Sequence, residues 1–392
     1  MTAARPPDRL TSGELLHHLD PRSAFEQLRM HESLTRGELA DLTSRSRTAA
    51  ADVVDQLMRL GAVHQVAHTG TAVGGPAAQR YALTPTFCYV VGADVRHDEV
   101  TVAVADIGGT LRAQITESFH PTDDAAQLLR RTIEHCLHDA AAPLEQVRRV
   151  VMGTPGVIDP VTGEFAFAYL MPSWKHALTT DIRALLGGVP VVFENDVNLA
   201  AMAEARDGVG RGIPNLVFAW MSIGVGLGTI LNGRLHRGRH GWSGEIGFIP
   251  APMPPGYALV PGLPHPSIHQ LTCLAAIASA ADHHGFGTDA RAALGAAQSA
   301  GERGSAFLDD VALRVAQLVS TTCLVVNPGL VVLGGSFIHA GGEDLLGRIQ
   351  RATGAISPVP VRLAYAEVGD EAILRGALQA ALDDTRDGLF AS

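Results

Sequence analysis

The stretch Val191-Val192-Phe193-Glu194-Asn195-Asp196-Val197-Asn198 decides how the chain reads. Three apolar residues behind Pro190 predict a short buried strand. The Glu-Asn-Asp run then makes a polar turn at its C-terminal end, ahead of a helix from Leu199 to Arg206. Asn195 and Asp196 can cap that helix, since Asn and Asp are strong N-caps, or they can present polar atoms to a ligand. Working outward, the same strand-then-turn pattern recurs. Val150 to Met152 runs into Gly153-Thr154-Pro155-Gly156. Asn215 to Met221 is followed by Ser222-Ile223-Gly224-Val225-Gly226-Leu227-Gly228 and then Gly244-Glu245-Ile246-Gly247. Asn327-Pro328-Gly329 precedes a strand from Leu330 to Leu333 and the turn Gly334-Gly335-Ser336. Upstream, Cys88 to Ala93, Glu99 to Ala105 and Leu111 to Ile115 predict three strands, with an amphipathic helix from Asp124 to Leu137. Polar or glycine-rich turns at the C-terminal ends of buried strands are where α/β sheets place ligands. The fold class is therefore α/β.

Ahead of this body lies a smaller head. Pro21 to Met30 predicts a helix with Phe25 and Leu28 on one side. Thr35 with Glu38 three residues on forms a capping box for a short helix from Arg36 to Leu42. Ser46 caps a third helix, with Ala50, Val53, Val54, Leu57 and Leu60 at helical spacing until Gly61 ends it. Ala62 to Val66 and Gln79 to Leu83, around a Gly-rich tip from Gly70 to Gly75, predict a two-stranded wing. Two short helices joined by a tight turn, the second opening on Arg45, Ser46, Arg47 and Thr48, can place a helix N-terminus in the major groove of DNA. Arg36, Arg45, Ser46, Arg47, Thr48 and Arg80 are the candidate DNA contacts, with Arg80 available to a phosphate. Asp52 and Asp55 on the same helix would repel phosphates, and a three-helix unit with a hairpin can also serve protein interaction.

Composition fits two or three domains in 392 residues, with 46% apolar and 18% charged side chains. Residues 1–85 carry nine Arg against nine Asp or Glu, so the net charge of −10 belongs wholly to the rest of the chain. A neutral head on an acidic body is compatible with DNA binding if the arginines share a face. Met1 to Arg9 lacks an apolar run behind it and nothing approaches a membrane span, which predicts a cytoplasmic protein without a membrane partner. Cys88, Cys136, Cys273 and Cys323 are scattered and predict buried thiols.

The order and spacing of the turns resemble the ROK family of repressors and sugar kinases, over Pro21 to about Leu382. The resemblance implies an N-terminal winged helix-turn-helix followed by a two-lobed actin-like, sugar-kinase-like ATPase fold. Its boundaries would be an extension at 1–20, the head at 21–85, lobe 1 at 86–196 and lobe 2 at 197–392, with the C-terminal helix able to return to lobe 1. The family's first phosphate loop is Asp-x-Gly-x-Thr. Asp106-Ile107-Gly108-Gly109-Thr110 spells it, but that placement leaves the three-strand meander one strand short. Asp94-Val95-Arg96-His97-Asp98 is the corresponding turn, and it lacks both glycines and the Thr. Ile223 stands where family kinases carry a Thr hydroxyl. Bulky side chains at 95–97 would keep backbone amides from a phosphate.

From these changes the sequence predicts no ATP binding and no kinase activity, although Asp196 matches the family's catalytic base. By the same resemblance Gly153, Asn195, Asp196 and Glu245 would contact an effector sugar. The family's Gly-Glu-x-Gly-His reads Gly244-Glu245-Ile246-Gly247-Phe248, and of its cysteine cluster only Cys273 remains, beside Ala275. No metal and no cofactor are therefore predicted, His265 and His269 being poor substitutes for zinc ligands. The sugar-contacting Asn expected before Trp174 is replaced by Leu170-Met171-Pro172-Ser173. The resulting expectation is a transcriptional regulator, a repressor tied to carbohydrate metabolism, binding a double-stranded DNA operator as a homodimer or dimer of dimers and sensing a sugar-like effector. A divergent sugar kinase with an accessory head is the enzyme alternative. A ligand-independent regulator using the body for dimerisation is the third.

Overall fold

The computed structural model describes residues 21–66, 78–96, 98–118, 120, 124–167, 177–261, 263 and 265–390. The extension at 1–20, the tip from Gly70 to Gly75, His97 and the stretch from Leu170 to Trp174 lie outside the described residues. The head begins with α1 (Pro21–Met30), which buries Ala24, Phe25 and Leu28. A two-residue strand, β1 (Leu34–Thr35), leads into α2 (Arg36–Thr43). Thr35 accepts the amide of Glu38 while the Glu38 carboxylate accepts the amide of Thr35, completing the expected capping box. Ser44 takes the left-handed conformation (φ 54°) and turns the chain. Then α3 (Arg47–Leu60) starts with the Ser46 hydroxyl accepting the Ala49 amide and ends at Gly61 (φ 80°). β2 (Val63–Val66) and β3 (Arg80–Leu83) follow. The expected two-stranded wing is three-stranded, in the order β1-β3-β2, because Leu34 and Thr35 pair with Tyr81 and Arg80.

The body contains two sheets of the same design. In the first, β4 (Tyr89–Val95), β5 (Glu99–Asp106) and β6 (Leu111–Ser118) form an antiparallel meander. α4 (Ala125–Asp139), capped by Asp124, crosses over to β7 (Val147–Thr154), parallel to β4. A small hairpin, β8 (Val157–Ile158) and β9 (Phe165–Phe167), and α5 (Ala177–Leu185) precede β10 (Val191–Asn195), parallel to β7. After α6 (Asp196–Asp207) the pattern repeats. β11 (Leu216–Met221), β12 (Val225–Leu231) and β13 (Arg234–Leu235) make the second meander. Helices α7 (Ile268–Thr272), α8 (Leu274–His283), α9 (Ala290–Ala297) and α10 (Gly301–Val326) lead to β14 (Leu330–Gly334), parallel to β11. α11 (Gly342–Ile356) then leads to β15 (Leu363–Tyr365), parallel to β14.

Matching the sheet orders β10-β7-β4-β5-β6 and β15-β14-β11-β12-β13 aligns β4 with β11. The turn between β4 and β5 therefore corresponds to the turn between β11 and β12. The last helix, α12 (Ala372–Phe390), returns to lobe 1 and packs on β4, β7 and α6. Its far end meets the head, where Phe25, Cys88 and Ile107 are buried against Leu389 and Phe390. Arg386 donates to the Ile107 carbonyl at 2.8 Å, and Arg22 pairs with Asp387.

Candidate functional site

The two equivalent turns face one cavity of about 430 Å³ between the lobes, lined from one side by Val95, Arg96 and Asp98 and from the other by Ser222, Ile223 and Gly224. Asp196 and Glu245 line it as well. Asp196 is the first residue of α6, so β10 and the helix start fix its position at a strand's C-terminal end. Its carboxyl is pushed up to about 7, first by burial and further by the carboxylates of Asp94 and Glu245, against a hydrogen bond from the Val197 amide. Burial also raises Glu245. The loop before it is pinned where the Leu227 amide donates to the Gly244 carbonyl at 2.8 Å.

Asn195 serves structure on both ends of its amide. Its Oδ1 caps α6 by accepting the Asn198 amide at 3.0 Å, and its Nδ2 donates to the Gly156 carbonyl at 2.9 Å. It also lines the cavity, so capping and lining coexist. Gly153 does not line it: a Cβ there would lie 2.5 Å from Ile373 and 2.8 Å from Leu199, so this glycine lets β7 pack beneath α6 and α12. Its neighbours Pro155 and Gly156 reach the cavity instead.

The turn after β4 carries Asp94 at the buried end of the strand and Arg96 beside it. Arg96 donates to Asp94 at 3.0 Å, to Glu99 at 3.2 Å and to the Asp370 carbonyl at 3.1 Å. Burial raises the Asp94 carboxyl and the neighbouring guanidinium partly offsets this. Across the cavity the Ser222 and Ser336 hydroxyls are 3.0 Å apart, and the Ile223 side chain is half exposed. The sequence motif at Asp106 to Thr110 is remote from this cavity; it closes the β5–β6 hairpin under the head.

Phe248 does not stand alone. Its ring lies 6.3 Å from Phe167 and 6.2 Å from Trp242, and the latter two are 5.8 Å apart. Phe167 and Trp242 escaped the sequence reading because the three meet only in the fold; two aromatics close to Gly244-Glu245 were the available signal. His269 lines the cavity, and burial lowers its pKa. The thiol of Cys273 is buried and raised by desolvation. Among the described residues no group of three His, Cys, Asp or Glu is arranged to hold a metal, and no helix is long and apolar enough to cross a membrane.

In the head, Ser46, Arg47 and Thr48 are exposed at the start of α3 and Arg45 is half-buried. Arg36 and Arg80 are held within the head. Arg36 pairs with Asp55 and sits 5.3 Å from the Tyr81 ring centre. Arg80 donates to the Ser33 carbonyl at 2.6 Å and hydroxyl at 2.9 Å, and pairs with Glu38 at 3.2 Å. Both arginines stabilise the β1–β3 edge, which the expectation of a phosphate contact for Arg80 did not foresee.

The ROK family model matches residues 90–384. The chain belongs to the ROK family. Its relatives include the xylose repressor of Bacillus spizizenii, 24% identical over 232 residues, 57% of this chain and 58% of that protein. They also include the glucokinase of Thermotoga maritima, 26% identical over 282 residues, 67% of this chain and 86% of that protein. Among solved structures, a ROK family transcriptional regulator homologous to the Escherichia coli MLC protein matches with a TM-score of 0.74 at 19% identity, covering 94% of this chain and 96% of that one. A ROK family glucokinase from Streptomyces griseus in complex with glucose and AMPPNP matches with a TM-score of 0.61 at 22% identity, covering 75% and 99%. The two-lobed, actin-like sugar-kinase fold is thus shared with both branches of the family.

These matches overturn the expectation of a body without kinase activity. Relatives of this chain include kinases, one of them matched over most of its length. One physical ground for that expectation, the bulk of the turn after β4, is also weakened at Arg96. Arg96 folds back onto Asp94, Glu99 and Asp370, and the cavity stays open between the turns.

Proposed function

We propose that the ROK body binds a sugar between its lobes, with Asp196 and Glu245 accepting hydroxyl hydrogens, and that Asp196 serves as general base for phosphoryl transfer to the sugar from a nucleotide. The observation that carries this reading is Asp196 itself, facing the cavity with its carboxyl held at about 7. A base is most effective when its pKa lies near the working pH. As the sugar oxygen bonds to phosphorus and the donor's P–O bond breaks, the hydroxyl proton passes to Asp196. Arg96 brings a guanidinium to the same cavity, where it would answer the donor's phosphates in place of glycine amides. The test is nucleotide consumption over a panel of hexoses and pentoses. Asp196→Asn is expected to lower turnover by about 10²–10⁴-fold, the usual contribution of a general base. No sugar-dependent turnover in the parent protein would refute the catalytic reading.

A second reading rests on the head. The exposed start of α3, with Arg47 and Thr48 beside the Ser46 cap, supports a winged helix-turn-helix at 21–85 that binds a DNA operator. The chain would then act in the cytoplasm as a homodimeric regulator, with the sugar in the cleft as its effector. Fluorescence anisotropy with the chain's own upstream region, at two salt concentrations and with or without sugars, tests it. Preference over scrambled duplex that weakens with salt is expected. Equal binding to both duplexes, here and in a genome-wide selection, would refute it.

A further inference from the structure

Phe167, Trp242 and Phe248 form an aromatic shelf at the mouth of the cavity, exposed by 37%, 45% and 37%. A contiguous exposed aromatic patch beside a polar cleft marks a binding surface. Phe167 and Phe248 line the same cavity as Asp196 and Glu245, so the shelf continues the polar floor outward. It also joins the lobes, since Phe167 belongs to the β8–β9 hairpin while Trp242 and Phe248 belong to the loop after β13. That loop is seated on the hairpin: a Cβ at Gly241 would lie 2.0 Å from the Ile158 carbonyl oxygen. Polar groups border the shelf. His240, two residues before Trp242, lies 3.5 Å from Asp159, next to β8.

We infer that this shelf is a subsite for a second sugar ring, so that the preferred ligand is a disaccharide with one ring over Asp196 and Glu245 and the other stacked on Phe167 and Trp242, whose planes differ by 35°, with the Phe248 ring standing edge-on beside them. A pyranose ring has the required two-sided chemistry. Its C–H face packs on aromatic rings and its hydroxyl edge meets groups such as His240 and Asp159. A free monosaccharide on the polar floor makes no use of the rings. An alkyl aglycone would cover rings but leave the polar border unmatched.

The inference rests on the sugar-binding reading of the cleft, and calorimetric titration separates the two. The probes are glucose, the methyl glucosides, maltose and cellobiose, with xylose, the methyl xylosides and xylobiose as a parallel series. A disaccharide is expected to bind roughly tenfold tighter than its methyl glycoside, the scale of one or two aromatic contacts. Trp242→Ala should erase most of that gain and leave methyl glycoside affinity within about twofold, and Phe167→Ala should also erase most of the gain. Monosaccharide binding with no gain from the second ring would overturn the subsite and leave the cleft's sugar reading intact. Equal loss of both ligands in Trp242→Ala would also overturn it, because the residue would then be shaping the floor. Binding of no sugar at all would overturn both.

Discussion

The turns at Asp94–Asp98 and Asp106–Thr110 follow successive strands of one meander, yet they do opposite work. The second spells a phosphate-loop motif and is a structural hairpin. Asp106, 1% exposed, accepts the Thr110 amide at 3.0 Å and the Arg112 guanidinium at 2.8 Å. Ile107 is fully buried against Phe25 of the head, and its carbonyl receives Arg386. The first turn departs from the motif but holds the position that sheet topology pairs with Ser222–Gly224 across the cavity. A loop's role follows from the strand end it occupies more than from its spelling.

The largest effect expected from this contrast is on stability. Asp106→Ala removes a buried carboxylate from its cation and leaves the Thr110 amide without its acceptor. The partner Arg112 is 38% exposed, which places the loss at the lower end for a broken buried pair, about 3 kcal/mol in denaturant unfolding. Nucleotide affinity should be unchanged; loss of nucleotide affinity at full stability would return the phosphate-loop role to this turn. Next is Arg386→Ala, which removes the charged hydrogen bond to Ile107 and the stacking 5.8 Å from Phe25. A cost of about 2 kcal/mol is expected, with faster proteolytic release of the head. Unchanged proteolysis would show that α12 does not hold the head in place.

The sequence made the landmarks legible and left many of their partners hidden. Caps at Thr35, Ser46 and Gly61 and the strand-end turns could be read because each signal lies within a few residues. The hold on Arg80 went unseen because its partner Ser33 is 47 positions away and is brought near only by β1 pairing with β3. Gly153 looked like a ligand-binding turn because nothing local reveals that Ile373 and Leu199 press on it. The inferred loss of catalysis took residues 95–97 as bulk that keeps backbone amides from a phosphate and Ile223 as a missing hydroxyl, whereas the direction Arg96 takes depends on the carboxylates of Asp94 and Glu99 around it. The aromatic shelf spans two lobes and has no local signature.

On the cavity side, Asp196 sets a pH-dependent contrast. Its carboxyl ionises at about 7 in the fold and near 3.8 when unfolded. The folded state therefore holds the proton more tightly, so this residue's contribution to stability is full below 3.8 and is lost as pH rises through 7. Asp196→Asn should be clearly more stable than the parent at pH 8 and little changed at pH 4, a stability gain at a functional position. Equal gains at both pH values would mean that the carboxyl ionises normally.

The smallest expected effect is at Arg96, and it tests the comparison most sharply. Its side chain is 39% exposed, so the pairs with Asp94 and Glu99 are screened and Arg96→Ala should cost under about 1 kcal/mol. Its consequences should instead appear in the cavity. Without the guanidinium, Asp94 loses the neighbour that offsets its burial, so its carboxyl rises further and stability falls more steeply as pH increases from acid to neutral. If Arg96 answers a donor phosphate, nucleotide affinity should drop in the same variant while sugar affinity holds. If the arginine only blocks the site, nucleotide affinity should rise. Either change would separate this turn from Asp106–Thr110, where the same assay is expected to register nothing.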